Sequence, residues 1–429
     1  MILFEGNLLP DEKQDEVLDK LWDSCLKAIE NRRDFTADII DACDKIAAKL
    51  KSGAYDAILN LLMDRGIFTK AQMDEVLILF ERENLELKYR VELGSYQKEI
   101  ESEHANRRKK VLEPLGVLFH VAAGNAEGLP FYSVLEGLLA GNVNILKLPS
   151  ADDGISVMIL HEMIKEAPVL APYICVLDVP STNLTVMKRL ADMADGIVVW
   201  GGDAAIGAIR AYASSQTQII SWGHKLSFAY VTSEVLTDVG LKEELYELAH
   251  HMCRTGQVLC SSCQGLFVDS DDKAVLDAVG RMFFDILKEV SREYPEESIG
   301  IRGKNAIALY NEDLENINGK KLILKDGGVS VTVSNDSKLE LSFMFRNCWV
   351  KPLLRTKILS ALKSNKGYLQ TVGLICKSEE REELMGILRK TGVNRITYAG
   401  AMSDTLPGEG HDGEYPLRRY CKIVELEYW

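Results

Sequence analysis

A chain of 429 residues with 47% hydrophobic and 27% charged side chains has a globular composition and is too long for one ordinary core. Its net charge of −14 argues against a nucleic-acid surface, which needs clustered Lys and Arg; the one basic cluster, NRRKK at 106–110, reads as a solvated loop. No apolar run reaches the roughly 18 residues of a membrane span. The opening MILFEGNLLPDEK also lacks the basic start of a secretory signal, so a cytoplasmic protein without membrane insertion is expected.

Residues 1–105 are acidic and helical in period. DEVLDKLWDSCLKAI and AQMDEVLILFERENLELKY space apolar residues three and four apart, which predicts a packed helical layer. From Pro114 the pattern changes to β-rich runs alternating with helical stretches: GVLFHVAA, NVNILKLP, YICVLDVP, GIVVWGG and QIISWG. Such alternation predicts right-handed crossovers and a doubly wound parallel sheet, with ligands at the carboxyl ends of its strands. A second alternating block starts at KLSFAYVTS and takes in QGLFVDS, NAIALYN, GGVSVTVS and TVGLICKS. The end, RRYCKIVELEYW, reads as a strand with one charged and one apolar face, and an exposed terminal strand invites pairing with another subunit.

Two stretches carry candidate chemistry. Between Pro114 and Ser150, a strand, a Gly/Asn turn, a helix and a second strand place Asn125 and Lys147 at strand ends. There an amide can donate to an oxyanion and an ammonium can bond a ribose or phosphate, although a turn Asn and a surface Lys explain the same residues. The other stretch is MCRTGQVLCSSCQGLFVDS, where Cys253, Cys260 and Cys263 follow His250 and His251. A reducing cytosol disfavours a disulfide. A Cys3His zinc site is one reading, against which the first spacing is not CxxC and no second ligand pair follows; a nucleophile with bystander thiols is the other.

PLGV, AAGN and GNVNILK together resemble the aldehyde dehydrogenase superfamily's first strand, its oxyanion-Asn loop and its cofactor-Lys strand. Four further stretches are similar to that superfamily in the same order: VVWGGDAAIGAIR, SWGHKLSFAYV, GQVLCSSCQGLFV and GHDGEYPLRRYCKIVELEYW. The GHKLSF segment, the Cys-Ser-Ser loop and the His-Asp-Gly before the last strand most resemble one branch, the acyl-CoA reductases of the bacterial luminescence (Lux-type) fatty-acid reductase family. The resemblance covers about residues 110–429.

The resemblance implies an α/β fold with a Rossmann-type parallel-sheet cofactor domain, an α/β catalytic domain and a C-terminal oligomerisation strand. The expected boundaries are a helical part at 1–105 packed on the cofactor domain, the cofactor domain at 106–224, the catalytic domain at 225–400 and the return and tail at 401–429. It implies Cys260 as nucleophile, Asn125 as oxyanion donor, and Lys147, Pro149, Ser150, Gly202 and Gly207 around a nicotinamide cofactor, with no metal.

Ser221 stands where hydrolytic members carry the Glu that activates water, which implies thiol exchange rather than hydrolysis. His224 replaces a Gly and is either a candidate for proton transfer to CoA or a capped, purely structural residue. Ser150 replaces a Glu that repels a 2′-phosphate, which favours NADPH, with NADH the alternative. The second ribose-binding Glu aligns with Phe345, and Gly256 and Gln257 stand one residue further from the nucleophile than in hydrolytic members. The expected activity is NADPH-linked reduction of an acyl-CoA to the aldehyde through an acyl-cysteine, with CoA as leaving group. An acyl-transferring synthetase is the expected partner and a homodimer or tetramer the expected assembly. The rival readings are an acid-forming aldehyde dehydrogenase and a catalytically silent nucleotide-binding scaffold.

Overall fold

The computed structural model describes residues 1–54, 77–94, 99–101, 107–122, 128–149, 152, 154–406 and 408–428. The chain divides into two units, residues 1–223 with 406–429, and residues 224–405.

The first unit opens with a hairpin, β1 (Ile2–Phe4) and β2 (Asn7–Leu9), that a helical reading of the acidic N-terminal part did not anticipate. Helices α1 (Gln14–Glu30), α2 (Thr36–Lys51) and α3 (Arg82–Glu92) follow. Helix α1 buries Val17, Leu18, Leu21, Cys25 and Ala28, the stripe that its three- and four-residue spacing dictates. After β3 (Glu99–Glu101) and β4 (Arg107–Pro114) comes the alternating region: β5 (Val117–Val121), α4 (Leu129–Leu139), β6 (Val143–Lys147), α5 (Ile155–Glu166), β7 (Ile174–Leu177), α6 (Leu184–Met193), β8 (Gly196–Trp200), α7 (Asp203–Tyr212) and β9 (Gln218–Trp222). Arg107 to Lys110 of the basic cluster thus belong to a strand rather than a loop.

The sheet order is β2-β1-β7-β6-β5-β8-β9, with β5 to β9 parallel and the hairpin antiparallel on the β7 edge. Strands β6, β7 and β8 are buried along their whole length, as near-continuous apolar runs in a covered parallel sheet require. The chain winds outward from β5 to one side through β6 and β7, then to the other through β8 and β9. This places a topological switch point between β5 and β8, where open α/β sheets hold ligands.

The second unit contains β10 (Leu226–Val231), α8 (Leu241–Thr255), β11 (Cys263–Val268), α9 (Lys273–Val290), α10 (Ile299–Glu315), β12 (Leu322–Asp326), β13 (Val329–Val333), β14 (Asn347–Pro352), α11 (Ile358–Leu362), β15 (Leu369–Ile375), α12 (Ser378–Leu388) and β16 (Arg395–Tyr398). Its sheet runs β12-β13-β14-β11-β10-β15-β16, parallel except for β12. Gly265 in β11 has no room for a side chain, since a β-carbon there would stand 2.2 Å from the Trp349 ring. NAIALYN, read as part of an alternating strand block, lies inside α10. Seven residues rich in Ile, Leu and Tyr carry no decisive periodicity alone, and the longer window resolves them as helix.

The C-terminal residues return to the first unit as α13 (Pro416–Arg419) and β17 (Cys421–Tyr428). Strand β17 pairs antiparallel with β4 from Cys421↔Pro114 to Tyr428↔Arg107. One edge of the terminal strand is therefore satisfied by its own chain; among the described residues the other edge has no partner strand. The turn into it is held by Glu92, whose carboxylate accepts the Leu417 amide at 2.8 Å. Glu92 and Glu136, both buried, share the Lys88 ammonium at 2.6 and 3.0 Å. Among the described residues no helix is long and apolar enough to cross a membrane.

Candidate active site

In the second unit α8 ends at Thr255, and Gly256 and Gln257, both left-handed at φ 57° and 62°, turn the chain into a loop that leads to β11. The three clustered thiols lie in different environments. Cys253 on α8 and Cys263 on β11 are buried, and desolvation pushes each thiol up to about 12. Cys260 is only half-buried and follows the exposed Val258 and Leu259. A solvent-reachable thiol in a loop can attack a carbonyl, whereas the two buried thiols are inert at neutral pH.

The loop is tied to the sheet beneath it. Ser227 of β10 donates its hydroxyl to the Cys260 carbonyl at 2.7 Å and accepts the Thr371 amide of β15 at 3.0 Å. The Cys263 amide donates to His251 Nε2 at 3.2 Å, and the Cys263 thiol donates to the Gly265 carbonyl at 3.2 Å. Burial holds His251 down at about 3, so it is a neutral acceptor. The ring nitrogen and the buried thiol thus serve backbone groups, and among the described residues no group of three or more His, Cys, Asp or Glu is arranged to hold a metal ion.

Sequence reasoning missed the support for this loop. The buried Gln257 amide donates to the carbonyls of Cys263 and Asn347 at 3.1 and 3.2 Å, and its oxygen accepts the Arg346 amide at 2.9 Å. Gln264 donates to the Gln257 carbonyl at 3.0 Å and accepts the Ser342 hydroxyl at 2.9 Å. Met344, Phe345 and Arg346 are all left-handed, a strained run that persists only where surrounding bonds over-determine it. The legible signal was a pair of glutamines flanking the thiol, because an amide buried in a core is there to satisfy backbone.

In the first unit Lys147 and Pro149 lie at the carboxyl end of β6 and Gly202 follows β8, at the carboxyl edge of the sheet. Lys147 closes β6 and is only 6% exposed. Burial depresses its ammonium below 10.5, Asp178 opposes this, and among the described residues no hydrogen bond meets it. A mostly buried lysine at a strand end, with no hydrogen bond among the described residues, suits an oxygen-rich ligand such as a ribose or phosphate. Pro149 is buried two residues on, and Gly202 caps the N-terminus of α7 after β8. Gly207 lies inside α7 and faces open space. Ser221 is half-buried in β9, and His224, the first residue of the second unit, is exposed. Asn125 and Ser150 lie outside the described residues.

Beneath this edge is a buried polar network that the sequence did not disclose. His120 of β5 contacts Ser133 Oγ of α4 at 2.7 Å and Asn144 Oδ1 of β6 at 3.0 Å, while the Trp200 indole of β8 donates to Ser133 at 2.9 Å. Since Ser133 accepts from Trp200, its own proton goes to His120 Nδ1, and Nε2–H donates to Asn144. Burial holds His120 at about 4, consistent with this neutral form. The network links strands on both sides of the switch point.

Residues 34–423 match the family model described as acyl-CoA reductase (LuxC). The chain belongs to the LuxC family. This bears out the resemblance read from its motifs. Among curated LuxC relatives it is 26% identical over 329 residues to long-chain acyl-protein thioester reductase 2 of Photobacterium leiognathi, covering 73% of this chain and 64% of that protein. It is 22% identical over 321 residues to the long-chain acyl-protein thioester reductase of Vibrio harveyi, covering 73% and 65%. The match thus spans just under two-thirds of those relatives' length. Among solved structures, the methylmalonate-semialdehyde dehydrogenase of Oceanimonas doudoroffii superposes with a TM-score of 0.78 at 12% identity, over 100% of this chain and 97% of that one. Aldehyde dehydrogenase 21 of Physcomitrella patens gives 0.72 at 14%, over 98% and 91%. The fold is therefore that of the aldehyde dehydrogenases.

Proposed function

We propose that this LuxC-family chain reduces an acyl thioester to the aldehyde, with an acyl-CoA as donor and NADPH as reductant. The observation that carries the reading is the contrast among the three thiols: Cys260 alone is half-exposed, in the loop register that the family resemblance assigns to the nucleophile. In the reaction the Cys260 sulfur attacks the thioester carbonyl and the Asn125 amide stabilises the oxyanion. The C–S bond to CoA breaks, CoA leaves as the thiol with a proton for which His224 is the candidate donor, and the acyl group remains on Cys260. Lys147, Pro149, Ser150 and the Gly202 turn are the residues to hold a nicotinamide dinucleotide, which supplies a hydride when bound. After reduction the Cys260 sulfur departs from the former carbonyl carbon and the aldehyde is released.

Ser221 supports reduction over acid formation, because a hydroxyl does not activate water as a carboxylate base does. Lys147 and Ser150 support NADPH, as a cation and a hydroxyl suit a 2′-phosphate. The names of the relatives point to acyl-protein thioesters, which present the same carbonyl; an acyl-transferring synthetase is then the partner that delivers it. We place the protein in the cytoplasm, as a homodimer or tetramer whose contacts include the open edge of β17.

The test is a panel of acyl-CoAs assayed with NADPH and with NADH, following aldehyde and oxidised cofactor together. Equal amounts of aldehyde and NADP+ support the reading. Free acid without cofactor turnover, or no turnover with any thioester donor, contradicts it.

A further inference from the structure

Helix α10 buries Asn305 and Leu309, while Ile299, Ile307, Tyr310 and Leu314 are 83%, 66%, 61% and 60% exposed. Spacings of three and four residues gather these side chains, with Gly303 and Ala306, into one stripe roughly 100° wide on the face opposite the buried pair. Ile317, just beyond the helix and 87% exposed, prolongs it. Isolated apolar residues on a surface need no explanation, but a continuous stripe on an otherwise well-formed amphipathic helix marks an interaction face.

The flanks of the stripe show what it fits. Arg302 and Asp313 lie along one side and Lys304 and Glu315 along the other, so each flank is basic toward the N-terminus and acidic toward the C-terminus. A surface of this kind is complementary to itself when reversed.

We infer that this face packs against the same face of a second copy of the chain, antiparallel about a two-fold axis. With the axis between Ile307 and Tyr310, Ile307 packs on Tyr310 of the partner subunit, and Gly303 makes room for Leu314 of the partner subunit. The same register brings Arg302 to Asp313 of the partner subunit and Lys304 to Glu315 of the partner subunit. Antiparallel helix dipoles add to the attraction. Within the chain Arg302 already meets Glu296 at 2.7 Å and Asp313 meets Lys325, but exposed pairs of this kind exchange at little cost. A lipid surface is the other class of apolar partner. Balanced flanks and a net charge of −14 work against an anionic membrane. The interface lies on the second unit and does not depend on the chemistry proposed above.

Sedimentation velocity of the full chain at micromolar concentration tests it. The variant Ile307→Asp/Tyr310→Asp should show half the wild-type mass with an unchanged circular dichroism melting midpoint. Lys304→Glu alone should weaken association about tenfold, and adding Glu315→Lys should restore it, which decides the matter even if the double aspartate variant misfolds. A monomeric wild type, an aspartate variant that folds and keeps the wild-type mass, or a charge swap that restores nothing would overturn the inference. So would a wild type that floats with phosphatidylglycerol vesicles while the aspartate variant does not, at equal mass.

Discussion

The Phe345 amide donates to the Gly256 carbonyl at 3.0 Å, joining two left-handed turns, Met344–Arg346 and Gly256–Gln257, that brace each other beside the Cys260 loop. The resemblance read Phe345 and the Gly256–Gln257 spacing as separate departures from the superfamily pattern, and this hydrogen bond joins the two segments. A β-carbon on Gly256 would lie 3.5 Å from the Phe345 ring, an ordinary contact, so backbone strain sets its cost. Gly256→Ala should fold and lose about 1 kcal/mol in urea unfolding, and Gly256→Val should lose clearly more, since β-branched residues tolerate positive φ poorly.

Gln257 answers the Arg346 amide and two carbonyls at once. Gln257→Ala leaves those buried groups unmatched and should cost about 2–4 kcal/mol. Because the loop carrying Cys260 loses its anchor, kcat should fall more than KM rises. Steady-state kinetics at a temperature where the variant remains folded separate this from simple instability.

The buried histidines make stability sensitive to mild acid. His120 at about 4 and His251 at about 3 bind fewer protons folded than unfolded, where the ordinary value is 6.5. Stability is full above about 6.5 and is lost as pH falls toward those values, about 3 kcal/mol for His120 and about 5 kcal/mol for His251 once pH is below each folded value. Urea unfolding should therefore weaken steadily from about pH 6.5 to about pH 5.5, above the range where ordinary carboxylates titrate. A flat profile over that interval would refute the neutral assignments.

Lys147 is a mostly buried lysine without a hydrogen bond among the described residues, and desolvation disfavours its charged form. Its folded value lies below 10.5, so the cost is fully present below that folded value and fades as pH rises toward 10.5. Lys147→Met should raise the melting temperature of the ligand-free protein at pH 7 and raise KM for NADPH at least tenfold, the scale of one charged hydrogen bond. Calorimetry and kinetics on the same preparation check both signs.

Much of this was legible in the sequence. GVLFHVAA, NVNILKLP, YICVLDVP, GIVVWGG and QIISWG each contain a parallel strand because near-continuous β-branched runs bounded by Gly and Pro leave few alternatives. The β1–β2 hairpin escaped notice because three-residue strands carry no period. The pairing of β17 with β4 joins residues three hundred positions apart, which local pattern does not encode. Cys260 stood out by its position before LFV, but its separation from Cys253 and Cys263 by burial is a property of packing. The His120–Ser133–Trp200 network was hidden for the same reason: each member reads as an ordinary strand or helix residue until the sheet brings them together.

The most direct measurement of the central claim is the site of acylation. Wild-type protein is incubated with a long-chain acyl-CoA without reduced cofactor, digested, and its peptides are weighed by mass spectrometry. The acyl group should sit on Cys260 and persist, because Ser221 supplies no carboxylate base for hydrolysis; Cys260→Ala should carry no acyl group, and Cys263→Ala should acylate as wild type does. Thiols pushed up to about 12 are only about one part in 100,000 thiolate at pH 7, so Cys253 and Cys263 should stay unmodified. An acyl group on Cys263 or Cys253, or none on any cysteine, would contradict the account.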